Sequence, residues 1–239
     1  MPKRVFFIPG TMCNEQLWSP VIDELKGIYT PEHLAIPNHL TFEQIAQQLL
    51  AQLPDEKVNL VGFSLGGYIA SYLACYHSER VEKVLVVANS PSNLSEHEIN
   101  QRQSLMSWVK SHGYSGMTRK KASNYLDEPS TETHSSPNRE SIIWQILAMD
   151  RQLGQETLLS QMLNTTHREN LLTGLADTEI SVTLYASERD PLVNWPWIEE
   201  LNCLAPHHKI IKTQGRGHML PLEKPKELAK HIKTWLSCI

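Results

Sequence analysis

Short apolar runs alternate along the chain with segments of helical period. Arg4–Ile8 (Arg-Val-Phe-Phe-Ile) is β-branched and aromatic and stops at Pro9-Gly10, which predicts a buried strand. From Glu15 to Lys26, Leu17, Trp18, Val21, Ile22 and Leu25 recur at helical spacing. Tyr29–Ile36 is weaker, because Pro31 blurs any strand there. Thr41-Phe-Glu-Gln44 has the form of a capping box and opens a helix carrying Ile45, Leu49, Leu50 and Leu53, which ends at Pro54. Val58–Gly62 and Val81–Ala88 read as two more buried strands. The helix between them, from Gly66 to His77, is rich in Gly, Ala and Ser, which let a helix lie close to a sheet. Strand and helix alternating at this cadence predict a parallel sheet covered on both faces.

The rhythm breaks at Pro91. From there to about Asp177 the pattern predicts helices and loops: Glu96–Ser111 behind a second capping box (Ser95, Glu98), Thr118–Leu126, Arg139–Leu153 and Glu156–Leu163. Asp127–Asn138 is polar and proline-bearing and reads as a mobile loop. Alternation resumes with strand Ile180–Ala186, a helix near Ile198–Leu204, strand Lys209–Lys212 and a final helix Lys224–Ser237. The expected organisation is an α/β core over 1–90 and 178–239, with a helical cap inserted over 91–177.

Composition narrows the function classes. The chain has 239 residues, 41% hydrophobic and 20% charged, with 22 basic against 26 acidic side chains and a formal net charge of −4. That is ordinary globular composition with no positive excess to attract nucleic acid or an acidic membrane. No apolar run approaches the length of a membrane span, and the run Val5–Ile8 is too short for a signal-peptide core. Four scattered cysteines (13, 75, 203 and 238) make neither a CxxC nor a disulfide framework, so reduced thiols and a cytoplasmic location are expected. There is no HExxH, GxGxxG or GxxxxGK, so neither a metal nor a nucleotide cofactor is expected.

Gly62-Phe-Ser-Leu-Gly66 satisfies GxSxG, follows a buried strand and opens a helix. A nucleophile elbow needs that setting: a strained turn lifts the Ser64 hydroxyl clear of the backbone, and the helix start directs free N–H groups at the reaction centre. A serine needs a base. Of eleven histidines, His218 alone is flanked by glycine in a loop after the last strand, where a parallel sheet places its functional loops. The third member should be a carboxylate after the penultimate strand. Asp190, before Pro-Leu-Val, is preferred there, with Glu188 as its competitor. Pro9-Gly10-Thr11-Met12 follows the first strand, and the backbone N–H groups of Thr11 and Leu65 are the expected oxyanion donors. Cys13 reads as a buried structural thiol.

These motifs resemble the α/β-hydrolase family over essentially the whole chain. Ile8–Trp18 is similar to the family's oxyanion segment, with Pro9 where histidine is more common. Gly62–Gly67 is similar to its elbow, Asp190 and His218 fall on its acid and base positions, and Gly-His…Leu-Glu-Lys-Pro is a common family ending. The family usually begins with two antiparallel strands that are missing here, so a trimmed, mostly parallel sheet of about six strands is implied. The run Arg151…Arg168…Leu175…Ile180 resembles the segment that closes the cap of small bacterial hydrolases.

The resemblance implies a cofactor-free serine hydrolase acting on a small carboxylic ester. Thioester or C–C hydrolysis, a lyase reaction, or a ligand-binding protein that keeps the triad are the alternatives. Met106, Trp108, Met149, Leu153 and Met162 are candidates to line a cap pocket or simply to pack. Arg168 is a candidate to hold a substrate carboxylate or to form a surface salt bridge.

Overall fold

The sheet has six parallel strands. They are β1 (Lys3–Ile8), β2 (Tyr29–His33), β3 (Val58–Phe63), β4 (Val81–Val87), β5 (Ser181–Ser187) and β6 (Lys209–Thr213), in the order β2-β1-β3-β4-β5-β6. The computed structural model describes residues 3–128 and 139–237. Most of the segment expected to be a mobile loop, 129–138, lies outside the described residues, as does Cys238.

Alternate side chains of each strand enter different cores. Phe6, Ile8, Leu60, Val84, Val86, Val182 and Leu184 point to one face, with Ile45 and Leu49 of α2 (Phe42–Leu50), Ile69 and Leu73 of α3 (Leu65–Tyr76), and Ile198 and Leu201 of α8 (Trp195–Leu204). Val5, Phe7, Val61, Phe63, Leu85, Val87 and Tyr185 point to the other. There they meet Val21 and Leu25 of α1 (Ser19–Leu25) and Leu228 and Ile232 of α10 (Pro225–Ser237). Burial on both faces explains why these strands read as continuous apolar runs. Each fully buried Leu, Ile or Phe contributes about 1.5–3 kcal/mol.

Several expectations need adjusting. Tyr29–His33 is a strand despite Pro31, which pairs opposite Val5. It lies at the sheet edge, where a missing N–H is tolerated, and Arg4 of β1 grips Glu32 through a two-pronged ion pair. The helix expected over 15–26 is a 3₁₀ turn, Glu15–Trp18, followed by α1, whose start carries Pro20. Both capping boxes form, at Thr41/Gln44 and Ser95/Glu98.

Between β4 and β5 lie α4 (Glu96–His112), α5 (Arg119–Asn124), α6 (Arg139–Thr165) and α7 (Leu172–Asp177), with no strand among the described residues. The two helices expected over 139–163 abut at Gly154, whose φ of 70° breaks the helical path between them. The short α7 carries one fully buried apolar side chain, Leu175, too little periodicity to announce itself in sequence.

The strand order reverses between β1 and β3: β2 lies on the outer side of β1, and β3 to β6 follow on the other. In open parallel sheets the crevice beyond the strand ends at such a point is the usual ligand site. The loops that leave β1 and β3 there are Pro9–Asn14 and the Ser64 turn.

Candidate active site

Ser64 links β3 to α3 with φ 50° and ψ −116°, a backbone conformation that non-glycine residues rarely adopt. Its N–H is anchored to the Val87 carbonyl at 2.9 Å. The turn closes only because its neighbours lack side chains. A Cβ on Gly62 would lie 2.2 Å from the Gly66 carbonyl oxygen, and one on Gly66 would lie 2.3 Å from the Ile8 oxygen. These are backbone atoms, which have no room to move aside.

His218 stands in the loop between β6 and α9 (Leu220–Glu223) and is buried. Its Nε2 is 3.2 Å from Ser64 Oγ and its Nδ1 is 2.7 Å from Asp190 Oδ2. Asp190 is buried and its other oxygen accepts the Leu192 N–H at 3.0 Å. An ionised Asp190 accepts from Nδ1–H and leaves Nε2 free to accept the serine proton. Glu188 is exposed beside Arg189, so of the two competing carboxylates Asp190 is the one that meets the histidine. The loops are tied together: Ser187 Oγ donates to the Gly217 carbonyl at 2.5 Å, and the His218 ring packs on Phe63 with centroids 5.1 Å apart.

Leu65 heads α3 directly after Ser64, and Thr11 sits in the turn after β1 that Cys13 N–H closes on the Gly10 carbonyl at 3.1 Å. The two loops touch, since a Cβ on Gly10 would be 3.1 Å from the Ser64 Cβ. The N–H of Met12 is already committed, donating to Gln161 Oε1 at 3.0 Å. The first N–H groups of a helix have no intrahelical acceptor, so the start of α3 carries donors suited to a developing negative charge.

Cys13 is buried and its thiol is pushed up to about 12 by that burial, as suits an inert structural cysteine.

A model of the α/β-hydrolase fold matches residues 35–225. The chain belongs to the α/β-hydrolase family. Among curated proteins it is similar to the pimeloyl-[acyl-carrier protein] methyl ester esterase of Vibrio atlanticus, 34% identical over 92 residues, and to that of Citrobacter koseri, 36% identical over 96 residues. These matches span only about a third of each relative's length, 35% and 37%. A thermophilic esterase from Thermogutta terrifontis superposes with a TM-score of 0.81 at 19% identity, covering 99% of this chain and 90% of the other, a likeness of fold.

In this α/β hydrolase the inserted helices come down on the site. Met12 packs with Val109 and Leu158, flanked by Leu105, Leu153 and Met162. Met106 is buried and Met149 fully so, the latter within the sheet-face core. Trp108 does not face the site: it is half exposed and stacks on His112 one turn along α4. Arg168 makes no salt bridge among the described residues. Its Nε donates to the Ser92 carbonyl at 2.8 Å and its guanidinium lies over the Tyr68 ring.

Gln161, Tyr125 and Arg102 also border the site, and none stood out in sequence. Each is an ordinary residue on a helix or loop, and only the packing of the insertion brings it here. No helix of the described residues is long and apolar enough to cross a membrane.

Proposed function

We propose that this protein is a cofactor-independent serine hydrolase that cleaves a small carboxylic ester through an acyl-enzyme. The observation that carries the reading is His218 spanning Ser64 Oγ and Asp190, buried at the strand ends beside a helix N-terminus. His218 takes the Ser64 proton as Oγ attacks the ester carbonyl, and Asp190 holds the imidazole tautomer and stabilises the imidazolium. The N–H groups of Thr11 and Leu65 bind the oxyanion, each worth about 10²–10³ in rate. His218 then protonates the leaving alcohol and activates the water that releases the acid. Residues 91–177 act as a cap that shapes the acyl and alcohol pockets. The named activity of the similar curated proteins, methyl ester hydrolysis, is of the same class.

Labelling with a fluorophosphonate, read by intact mass, tests the reading. Wild-type protein should gain one adduct and Ser64→Ala none. An unlabelled, folded wild type would overturn the activated serine and favour a binding protein built on the same fold.

A further inference from the structure

Two arginines of the insertion approach the site. Arg102 projects from α4 and its Nη1 donates to Thr165 Oγ1 at 3.3 Å. Arg168 follows Thr165 by three residues, lies 4.8 Å over the Tyr68 ring and donates its Nε to the Ser92 carbonyl. Among the described residues neither guanidinium forms an ion pair, although both are partly buried. The charge of Glu98 reaches both arginines without a direct ion pair. Glu98 accepts the N–H and hydroxyl of Ser95 at 3.1 and 2.9 Å in the α4 capping box, and Glu169 accepts the Tyr76 hydroxyl at 2.8 Å.

The pair lies next to the reacting groups. Tyr68 is one turn beyond Ser64 on α3, and its N–H bonds to the Ser64 carbonyl at 3.2 Å. On the other side Arg102 lies within electrostatic reach of Tyr125, whose ring packs on His218 at 6.1 Å. Burial and the repulsion of Arg102 bring Arg168 down to about 10, which leaves it protonated at neutral pH. Glu98 sets one carboxylate against these two desolvated guanidiniums, so the cluster keeps a net positive charge, and an anion placed between the arginines offsets that cost. Guanidinium forks match a carboxylate with paired, charge-assisted hydrogen bonds.

We propose that Arg102 and Arg168 form an anion subsite beside Ser64, so that the preferred ester carries a free carboxylate at the end remote from the scissile bond. This rests on the serine-hydrolase reading above. The substrate class is then the half-ester of a dicarboxylic acid, bound with its ester carbonyl at Ser64 and its carboxylate on the arginines. Attack by Ser64 Oγ expels the alcohol, which takes the proton held on His218. Water then frees the dicarboxylate and restores the serine.

The test is calorimetric binding to Ser64→Ala protein of monomethyl glutarate and monomethyl adipate, against the dimethyl diesters and against an ester bearing phosphate in place of the carboxylate. Tighter binding of a half-ester than of its diester, by roughly tenfold or more, and loss of that preference in Arg102→Gln and Arg168→Gln, is the expected result. Equal binding of half-ester and diester overturns the subsite, and this comparison needs no arginine variant to fold. Tighter binding of the phosphate ester overturns the carboxylate assignment. Methanol release by wild-type protein separates the two readings: half-ester binding without release defeats the hydrolase and leaves the subsite standing. Equal release and equal binding of half-ester and diester do the reverse.

Discussion

The backbone carbonyl of Tyr125 accepts the N–H of His218 at 2.7 Å. A residue of the inserted helices thereby fixes the loop that carries the histidine of the core. The same stretch grips that loop twice more. Asp127 Oδ1 accepts the Arg216 N–H at 3.1 Å, and Glu223 Oε1 accepts the Asp127 N–H at 2.6 Å. Gly215, at φ 102°, lies directly against the Asp127 carboxylate, where a Cβ would overlap it. The insertion is therefore part of what aims the imidazole.

Asp127→Ala removes the acceptor for Arg216 and should let the histidine loop drift. A displacement of about 1 Å costs on the order of 10² in rate, so kcat should fall about 10–100-fold. Asp127→Asn keeps an acceptor oxygen and should retain most activity. Steady-state kinetics on one ester with both variants check this. Equal losses would mean that the charge, not the hydrogen bond, is what matters.

Glu223 gives a pH dependence of stability. Burial first, and the neighbouring Asp127 as well, raise it to about 7, and its Oε2 is buried with no hydrogen-bond partner among the described residues. In the unfolded chain it titrates near 4.5. Between those two values the folded state holds the proton that the unfolded state has released, so stability falls as pH rises from about 4.5 to about 7. Glu223→Gln is neutral throughout and keeps the acceptor for Asp127. Denaturant unfolding should show the variant more stable than wild type at pH 7.5, by on the order of 3 kcal/mol, and the advantage should vanish at pH 4.5. A pH-independent difference would assign the effect to packing.

Asp190 and Glu188 separate cleanly by substitution. Asp190→Asn should lower kcat on the order of 10⁴-fold with little change in fold, because the amide no longer holds Nδ1–H toward it. Glu188→Gln, on an exposed side chain paired with Arg189, should stay within about twofold of wild type. Ester turnover by both variants decides the point, and a large loss in Glu188→Gln would contradict the assignment.

Gln161 is the link from the insertion to the turn after β1. Gln161→Leu leaves the Met12 N–H without its acceptor, which costs about 1–3 kcal/mol. Because Thr11 is the adjacent residue, kcat should fall as well. A variant with lowered thermal stability and unaltered kcat would detach Thr11 from oxyanion binding.

Gly66→Ala should prevent native folding, since its Cβ meets the Ile8 and Pro9 carbonyl oxygens at 2.3 and 2.4 Å. Soluble, cooperatively melting Gly66→Ala protein would refute that packing.

Much of the core was legible because its signals are local. A strand buried on both faces must be a short apolar run, and Val58–Phe63 and Val81–Val87 are recognisable for that reason alone. The elbow is legible because a φ of 50° at Ser64 and backbone contacts at Gly62 and Gly66 leave only one kind of pentapeptide. Thr41 and Ser95 announce their helices because a capping box is closed within four residues. The β2 edge strand was obscured by Pro31, whose tolerance depends on having one neighbour strand rather than two.

Sequence by itself determined the parallel α/β architecture and singled out Ser64, His218 and the loop of Asp190 as candidates, because each signal comes from residues close together in the chain. Only the tertiary structure decided that Asp190 rather than Glu188 reaches His218, that Trp108 turns to solvent, and that Tyr125, Gln161, Arg102 and Arg168 border the site. Those placements depend on how helices far apart in sequence pack across the strand ends. Periodicity shows which face of a helix is apolar, but the partner of that face is set by three-dimensional packing.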